Sequence, residues 1–359
     1  MTENLGKKSI LKALSSLWTV EDLEMNLILF TEEEIEAENK SEEGSIIRLK
    51  ADDYRAKHIG TILECKSGKK KIMVYQKLCD VVRIGIINGK QGSAVVEWSD
   101  KSFNAEDTEM REKGDNSTIN DNDNNNNNNN NDNVKTNSAN NRISKKKKRS
   151  NLKCDLTLKI ISDSMKLIPD TTGARIILLL AIPRPKQLNR LFPIISSIGI
   201  HQLILINCNK TEKCYFDTKY LESDRVLKGF LSGLSQCRDT VLPLLSVQKQ
   251  NLQDFLKHQT MFDLQNCVSI LAHPGQDLPR LSQLPCFQST SSDKYRNKNF
   301  VLAIGPEGGW IPEEISLFES CGFNLCSLGP RVLRTDVACI SLLSVLRECI
   351  HHTVFGCSN

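Results

Sequence analysis

Apolar and polar residues follow different periods in the two halves of this chain. From Cys154 onward, strand-length apolar runs alternate with stretches whose apolar residues recur at helical spacing. Ala174 to Ile182 reads as a buried strand, Lys186 to Gly199 as a helix, Gln202 to Asn207 as a strand, Asp224 to Arg238 as a helix and Cys267 to Ala272 as a strand. Phe300 to Ile304 is a further strand that breaks into Gly305-Pro306-Glu307-Gly308-Gly309-Trp310. A helix opens at Pro312 with Glu313 and Glu314 in its first turn, where carboxylates suit the positive end of the helix dipole, and Gly322 stops it. A last short strand, Phe323 to Leu328, breaks at Gly329-Pro330, and Arg331 to Asp336 leads into a closing helix that reaches about His351. This alternation predicts an α/β unit, a mostly parallel sheet with helices on both faces.

The first half is patterned for a small β unit. Ile46 to Lys50, Lys71 to Tyr75, Val81 to Ile87 and Gly92 to Trp98 are short β-like runs, and Asn88-Gly89 between the last two is a strong hairpin signal. Ala51 to Cys65 reads as a helix with Tyr54, Ile59, Ile62 and Leu63 on its apolar side and Arg55, Lys57 and His58 on the other. Before this unit lie an amphipathic stretch, Leu11 to Leu29, and an acidic one, Glu32 to Glu43. After it, Ser99 to Ser150 is rich in Asn and Asp, with Asn124 to Asn131 unbroken. Such a segment buries too little apolar surface to offset chain entropy and is expected to be disordered. The expected division is therefore a tail at 1–44, a small β unit at 45–98, an insert at 99–150 and the α/β domain at 151–359.

Composition narrows the picture. No run approaches the ~18 apolar residues that a membrane span requires, so no membrane partner is expected. Lys7, Lys8 and Lys12 precede an apolar stretch, but Glu21, Asp22 and Glu24 follow at once, which makes an unconvincing targeting signal. The 13 cysteines are scattered singly without a C-x-x-C pair, so they read as small buried hydrophobes in a reducing compartment, and no metal site is expected. The net charge of +4 matters less than its placement, because Lys145 to Arg149 is an unbroken basic run. That run suits a nuclear import signal, an RNA tether or a merely soluble tail.

Chemistry concentrates where two strands end in glycine-bearing loops. In an open α/β sheet, ligands sit beyond the carboxyl ends of the strands, and glycines there let a ligand lie against bare peptide groups. Glu307 stands in one loop, and Arg334 and Asp336 follow the other. No Gly-Lys-Ser/Thr follows either loop, which excludes a Walker phosphate loop. Leu271-Ala272-His273-Pro274 ends a third strand at the same rim.

Ile304-Gly305-Pro306-Glu307-Gly308-Gly309 followed by Leu328-Gly329-Pro330-Arg331-Val332-Leu333-Arg334-Thr335 resembles the signature of the RsmE family, the 16S rRNA uracil-N3 methyltransferases of the knotted SPOUT superfamily. Pro183-Arg184-Pro185-Lys186, Ile206-Asn207 and Gln236 to Thr240 are similar to further fragments of it, and residues 45–98 resemble its PUA-like amino-terminal barrel. The chain departs at Asp336-Val337, where the family has Glu-Thr. In the barrel, Lys69 to Cys79 is an insert that carries Lys69, Lys70, Lys71 and Lys77.

The resemblance implies S-adenosyl-L-methionine (SAM) as cofactor, held by Leu271, Ala272, His273, Ile304, Gly305, Pro306, Glu307, Gly308, Leu328, Gly329, Leu333 and Thr335, with Leu271, Leu328 and Leu333 as apolar walls around the adenine. Residue type and motif position point to Arg334 as the electrophile and to Asp336 or Glu307 as the proton acceptor, and Arg48, Arg55, His58, Arg83, Arg184 and Lys186 are expected to face RNA. The implied partners are small-subunit ribosomal RNA, or the assembled subunit, and a second copy of the chain in a homodimer. Periodicity alone predicts an ordinary open sheet, and only the resemblance implies a trefoil knot. The expected compartment is the cytoplasm, with mitochondrion, plastid and nucleus as alternatives. A catalytically silent RNA-binding or ribosome-assembly protein is the competing expectation, favoured only by the departure at Asp336-Val337.

Overall fold

The computed structural model describes residues 27–36, 46–61, 81–99, 155–168, 173–288 and 298–355. The expectations for most of the stretch from Leu11, the acidic residues after Glu36, Lys69 to Cys79, the Asn-rich tract and Lys145 to Arg149 lie outside the described residues.

Two sheets organise these residues. The smaller one uses β1 (Ile28–Phe30), β2 (Ile46–Leu49), β3 (Val81–Ile86), β4 (Gln91–Trp98) and β5 (Leu156–Ile160) in the order β1-β3-β4-β5-β2, with α1 (Glu32–Glu36) and α2 (Tyr54–Thr61) between strands. The pair β1 and β3 is parallel, and the other neighbours are antiparallel. Its membership corrects the expected limits of 45 and 98, because one strand comes from before the interval and another from after it. Leu156 and Leu158 alternate inward from β5 with Trp98 and Val96 opposite them, so the pairing register, not proximity in sequence to the α/β domain, decides where β5 belongs.

The larger sheet uses β6 (Arg175–Ala181), β7 (Gln202–Ile206), β8 (Leu244–Gln248), β9 (Cys267–Ala272), β10 (Asn299–Ile304) and β11 (Asn324–Cys326), all parallel, in the order β11-β9-β10-β6-β7-β8. Its helices are α3 (Pro185–Ile198), α4 (Ser223–Cys237), α5 (Leu252–His258), α6 (Pro285–Gln288), α7 (Pro312–Ser320) and α8 (Thr335–Phe355). Alternate strand residues point to opposite faces, and both sets are apolar. Ile176, Leu178 and Leu180 pack with α3, α4 and α8, whereas Ile177, Leu179 and Ala181 pack with α5 and α7. The expected parallel α/β architecture is therefore present. The strand β8 and helix α5 went unpredicted, since an edge strand with Ser246 and Gln248 lacks the continuous apolar run of its neighbours. The helix α8 is long and apolar enough to cross a membrane, but Cys339, Leu342, Leu343 and Leu346 are buried against the sheet.

The small sheet docks on α4. Leu27, Leu29 and Tyr54 share a buried cluster with Leu227, Leu231 and Leu234. The hairpin turn adds polar fixation: Asn88 N donates to Thr240 O (2.7 Å), Thr240 Oγ1 to Gly89 O (3.0 Å) and Leu242 N to Asn88 Oδ1 (2.8 Å).

Arg55 and His58, expected on the polar side of α2, are 3% and 2% exposed. The Arg55 guanidinium pairs with Glu34 (2.8 Å) and Asp53 (2.9 Å) and stacks 4.6 Å from the Phe30 ring centre. Burial works against its charge, but the Asp53 and Glu34 carboxylates outweigh it, so the group stays protonated. Both residues are thus removed from the RNA-facing set. Arg55→Ala leaves two half-buried carboxylates without their counter-charge and should destabilise the chain by about 3–5 kcal/mol in urea unfolding.

Candidate functional site

Parallel pairing sets the carboxyl ends of β9, β10 and β11 side by side, and the loops leaving them enclose a cavity of about 330 Å³. Its walls are Ala272 to Pro274 after β9, Ile304 to Trp310 after β10, residues between Cys326 and Leu333 after β11, and Thr335, Ala338 and Leu342 of α8. The cavity lies on the α8 side of the sheet, since Ile304, Cys326 and Leu342 belong to the core cluster of that face.

Local chemistry explains the shape of the loops. A side chain at Gly305 would bring Cβ within 2.9 Å of the Trp310 ring, so glycine is what lets the indole fold back over the loop. Trp310 Nε1 then donates to Ala272 O (3.1 Å), which ties the β10 loop to the end of β9. Gly329 adopts φ +123, a conformation strained for other residues. Ser327 holds that turn, its Oγ accepting from Gly329 N (2.9 Å) and donating to Gly275 O (2.7 Å). His273 N donates to Cys326 O (3.0 Å), which closes the join between the first loop and the third.

A polar chain crosses the mouth. Glu307 Oε1 accepts from the backbone N of Arg184 (3.0 Å), just before α3. With the Gln187 amide oriented to satisfy its neighbours, its nitrogen donates to the same Glu307 oxygen (2.8 Å) and its oxygen accepts from Arg334 Nη2 (3.2 Å). Arg334 Nη2 also donates to Asp336 Oδ2 (2.8 Å), so both of its hydrogens are engaged. Lys210 Nζ donates to Gly308 O (2.9 Å) and steadies the β10 loop from the β7 side.

Of the residues expected to hold a cofactor, Ala272, His273, Ile304, Gly305, Pro306, Glu307, Gly308, Leu328, Gly329, Leu333 and Thr335 all line this one cavity. Leu271 does not. It is fully buried on the opposite face of β9 with Val301 and Phe318, because successive strand residues alternate sides. Ala272 takes the wall position instead. Arg334 and Asp336 stand at the mouth, and Arg184 and Lys186 are exposed at the start of α3, whereas Arg48 and Arg83 are exposed on the small sheet. Cys326, Ala338 and Leu342 were not anticipated as walls, nor Gln187 as a link. Nothing near Gln187 in sequence distinguishes it, since its partners are more than a hundred residues away.

Burial shifts two wall residues, Cys326 and His273, towards their neutral forms. Burial, then the nearby Cys286 and Cys349 thiols, push Cys326 up to about 12, and burial raises Cys286 to about 11. Cys326 is therefore a wall atom and not a nucleophile. Burial lowers the pKa of His273, and its Nδ1 is buried without a hydrogen-bond partner among the described residues.

The arrangement defines a class: a parallel α/β domain with a small-molecule cleft walled by three rim loops. Residues 171–347 match the family described as RNA methyltransferase domain. Through that domain the chain is similar to the RsmE family, in agreement with the resemblance carried by the signature loops. The Ribosomal RNA small subunit methyltransferase E of Treponema pallidum is 28% identical over 174 residues, which are 48% of this chain and 62% of that protein. The chain spans less than two thirds of the length of the curated relatives it matches first. Two solved structures share the fold. A methyltransferase of Legionella pneumophila with bound cofactor SAM superposes with a TM-score of 0.53 at 18% identity, covering 91% of this chain and 98% of that one. Ribosomal RNA small subunit methyltransferase E of Neisseria gonorrhoeae, bound to S-adenosyl methionine, gives 0.52 at 11% identity over 90% and 97%.

Gly305→Ala should push Trp310 off Ala272 O and cost about 1–3 kcal/mol by overpacking, seen as a lower Tm and a red-shifted tryptophan emission. The histidine gives a pH test. With its folded pKa below the ordinary value of 6.5, the unfolded chain binds its proton first as pH falls, so His273 makes stability decline below about pH 6.5. His273→Gln should flatten that part of a Tm profile taken between about pH 7 and 5.

Proposed function

We propose that this chain transfers a methyl group from S-adenosylmethionine to N3 of a uridine in small-subunit ribosomal RNA. The observation that carries the proposal is a largely apolar, backbone-lined cavity with Arg334 tethered at its mouth, on a domain of the RNA methyltransferase family.

The residues present suit the cofactor. A cavity of about 330 Å³ lies within the range of small-molecule sites. Gly305 and Gly308 expose peptide groups to it, Leu328, Leu333 and Leu342 supply apolar wall, and His273 Nδ1 is a buried polar atom lacking a partner among the described residues. Bound SAM supplies an activated methyl group on a sulfonium centre. The protein's part is alignment and charge. Arg334, with its side chain 64% exposed, holds the negative charge that N3 deprotonation places on the flanking carbonyl oxygens. Asp336 and Val337 at the family's Glu-Thr positions keep a carboxylate, and that carboxylate fixes Arg334. The departure therefore preserves a contact and gives the silent RNA-binding alternative no support. Among the described residues both Asp336 oxygens are engaged while Glu307 Oε2 meets no donor, so we assign proton acceptance to Glu307.

Around this site the proposal extends to the trefoil knot of the superfamily, for which the strand order β11-β9-β10-β6-β7-β8 is suited. It extends to a PUA-like role for the five-stranded sheet, with Arg48 and Arg83 on its exposed side. It includes a homodimer, supported by apolar residues exposed beside the cavity: Val332 (80%), Val337 (42%), Leu328 (37%) and Ile340 (36%).

Calorimetric titration with SAM, followed by transfer to small-subunit RNA, tests the proposal. Arg334→Ala should lower methyl transfer by about 10²–10³-fold, the loss expected on removing a transition-state charge donor, with SAM affinity within about twofold. A chain that binds RNA but not SAM would be the silent alternative. Ile340→Asp should shift the sedimentation coefficient from dimer to monomer.

A further inference from the structure

We propose that Gln187 is the positioning residue of this site, a neutral spacer that joins Glu307 to Arg334 while keeping the two charges from pairing directly. The inference rests on the methyltransferase proposal above and adds a residue outside both signature loops.

Gln187 sits in the first turn of α3, and among the described residues its amide links the two charged side chains. Its nitrogen donates to Glu307 Oε1 at 2.8 Å, and its oxygen accepts from Arg334 Nη2 at 3.2 Å. An amide offers a donor to a carboxylate at one atom and an acceptor to a guanidinium at the other, and carries no charge of its own. The arrangement partitions donors and acceptors. Glu307 Oε1 is occupied by Arg184 N and Gln187, while Arg334 Nη2 is occupied by Asp336 and Gln187. The Nη1 and Nε hydrogens of Arg334 and Oε2 of Glu307 meet no partner among the described residues, and these are the atoms a substrate would use.

The anchoring of Gln187 makes it effective. Pro185 presets the first turn of α3, and Gln187 N donates to Arg184 O (2.9 Å), so the amide projects from rigid helix and not from loop. Glu307, arriving from the β10 loop, accepts from the backbone N of Arg184, the N-cap residue, whose own side chain makes no cap hydrogen bond. The end of α3 therefore holds one glycine loop through Glu307 and the other through Arg334. Without the amide, carboxylate and guanidinium are free to collapse into an ion pair that consumes the atoms needed for the base.

Two measurements on the full chain test this. In methyl transfer, Gln187→Ala should lower kcat about tenfold with KM for SAM within twofold, and adding it to Arg334→Ala should cost no more than a further twofold. Gln187→Glu should be impaired at neutral pH, and its rate relative to wild type should rise as pH falls and the new carboxyl regains a proton to donate. Independently of turnover, NMR of chain labelled with nitrogen-15 arginine should show an Arg334 side-chain signal, assigned by its loss in Arg334→Lys, that shifts in Gln187→Ala. An unmoved Arg334 signal, or losses from Gln187→Ala and Arg334→Ala that multiply, would overturn the proposal. If the wild-type chain transfers no methyl group, the methyltransferase assignment fails, and the Arg334 signal alone decides on Gln187.

Discussion

The level alignment of β9, β10 and β11 is the constraint from which the site follows. Register pairs Ala303 with Leu271 and Leu271 with Leu325, so three chains end at the same height and release their loops into one space. Parallel strands hold this alignment only while both faces are covered, and here they are, by α3, α4 and α8 on one side and α5 and α7 on the other. Hydrophobic burial sets the frame; the loops inherit their positions from it.

Within the frame, the loops are tied to one another. Trp310 reaches back to Ala272, His273 meets Cys326, Ser327 closes the Gly329 turn, and Gln187 with Glu307 and Arg334 spans the mouth. Each hydrogen bond in these ties contributes roughly 1 kcal/mol, and about 1.5–3 kcal/mol where a charged group takes part. Their effect is geometric: they fix the peptide groups that line the cavity and the charges at its mouth, and such preorganisation is the larger part of what the proposed methyl transfer requires.

The small sheet is held as firmly. The cluster of Leu27, Leu29 and Tyr54 with Leu227, Leu231 and Leu234 gives apolar area, and the Asn88 turn gives orientation through three hydrogen bonds to Thr240 and Leu242. Gly85 contributes by absence, since a Cβ there would lie 2.9 Å from Thr240 Cγ2. A surface carried on the exposed side of that sheet, with Arg48 and Arg83, is thereby kept at a set orientation to the cavity.

Sequence alone determined the elements whose residues carry their own signal. Continuous apolar runs marked β6, β9 and β10, helical spacing marked α3 and α4, Asn88-Gly89 marked the hairpin, and glycines after apolar runs marked two of the three loops that wall the cavity. Those features are local, because steric and hydrophobic preferences act on neighbouring residues. What only the tertiary structure decided depends on pairing between distant segments. Register assigned β5 to the small sheet and turned Leu271 away from the cavity in favour of Ala272. Burial turned Arg55 and His58 from candidate RNA contacts into core residues. Gln187 became a link between charges only once α3 lay beside both glycine loops, since its partners Glu307 and Arg334 belong to segments that no local preference brings near it.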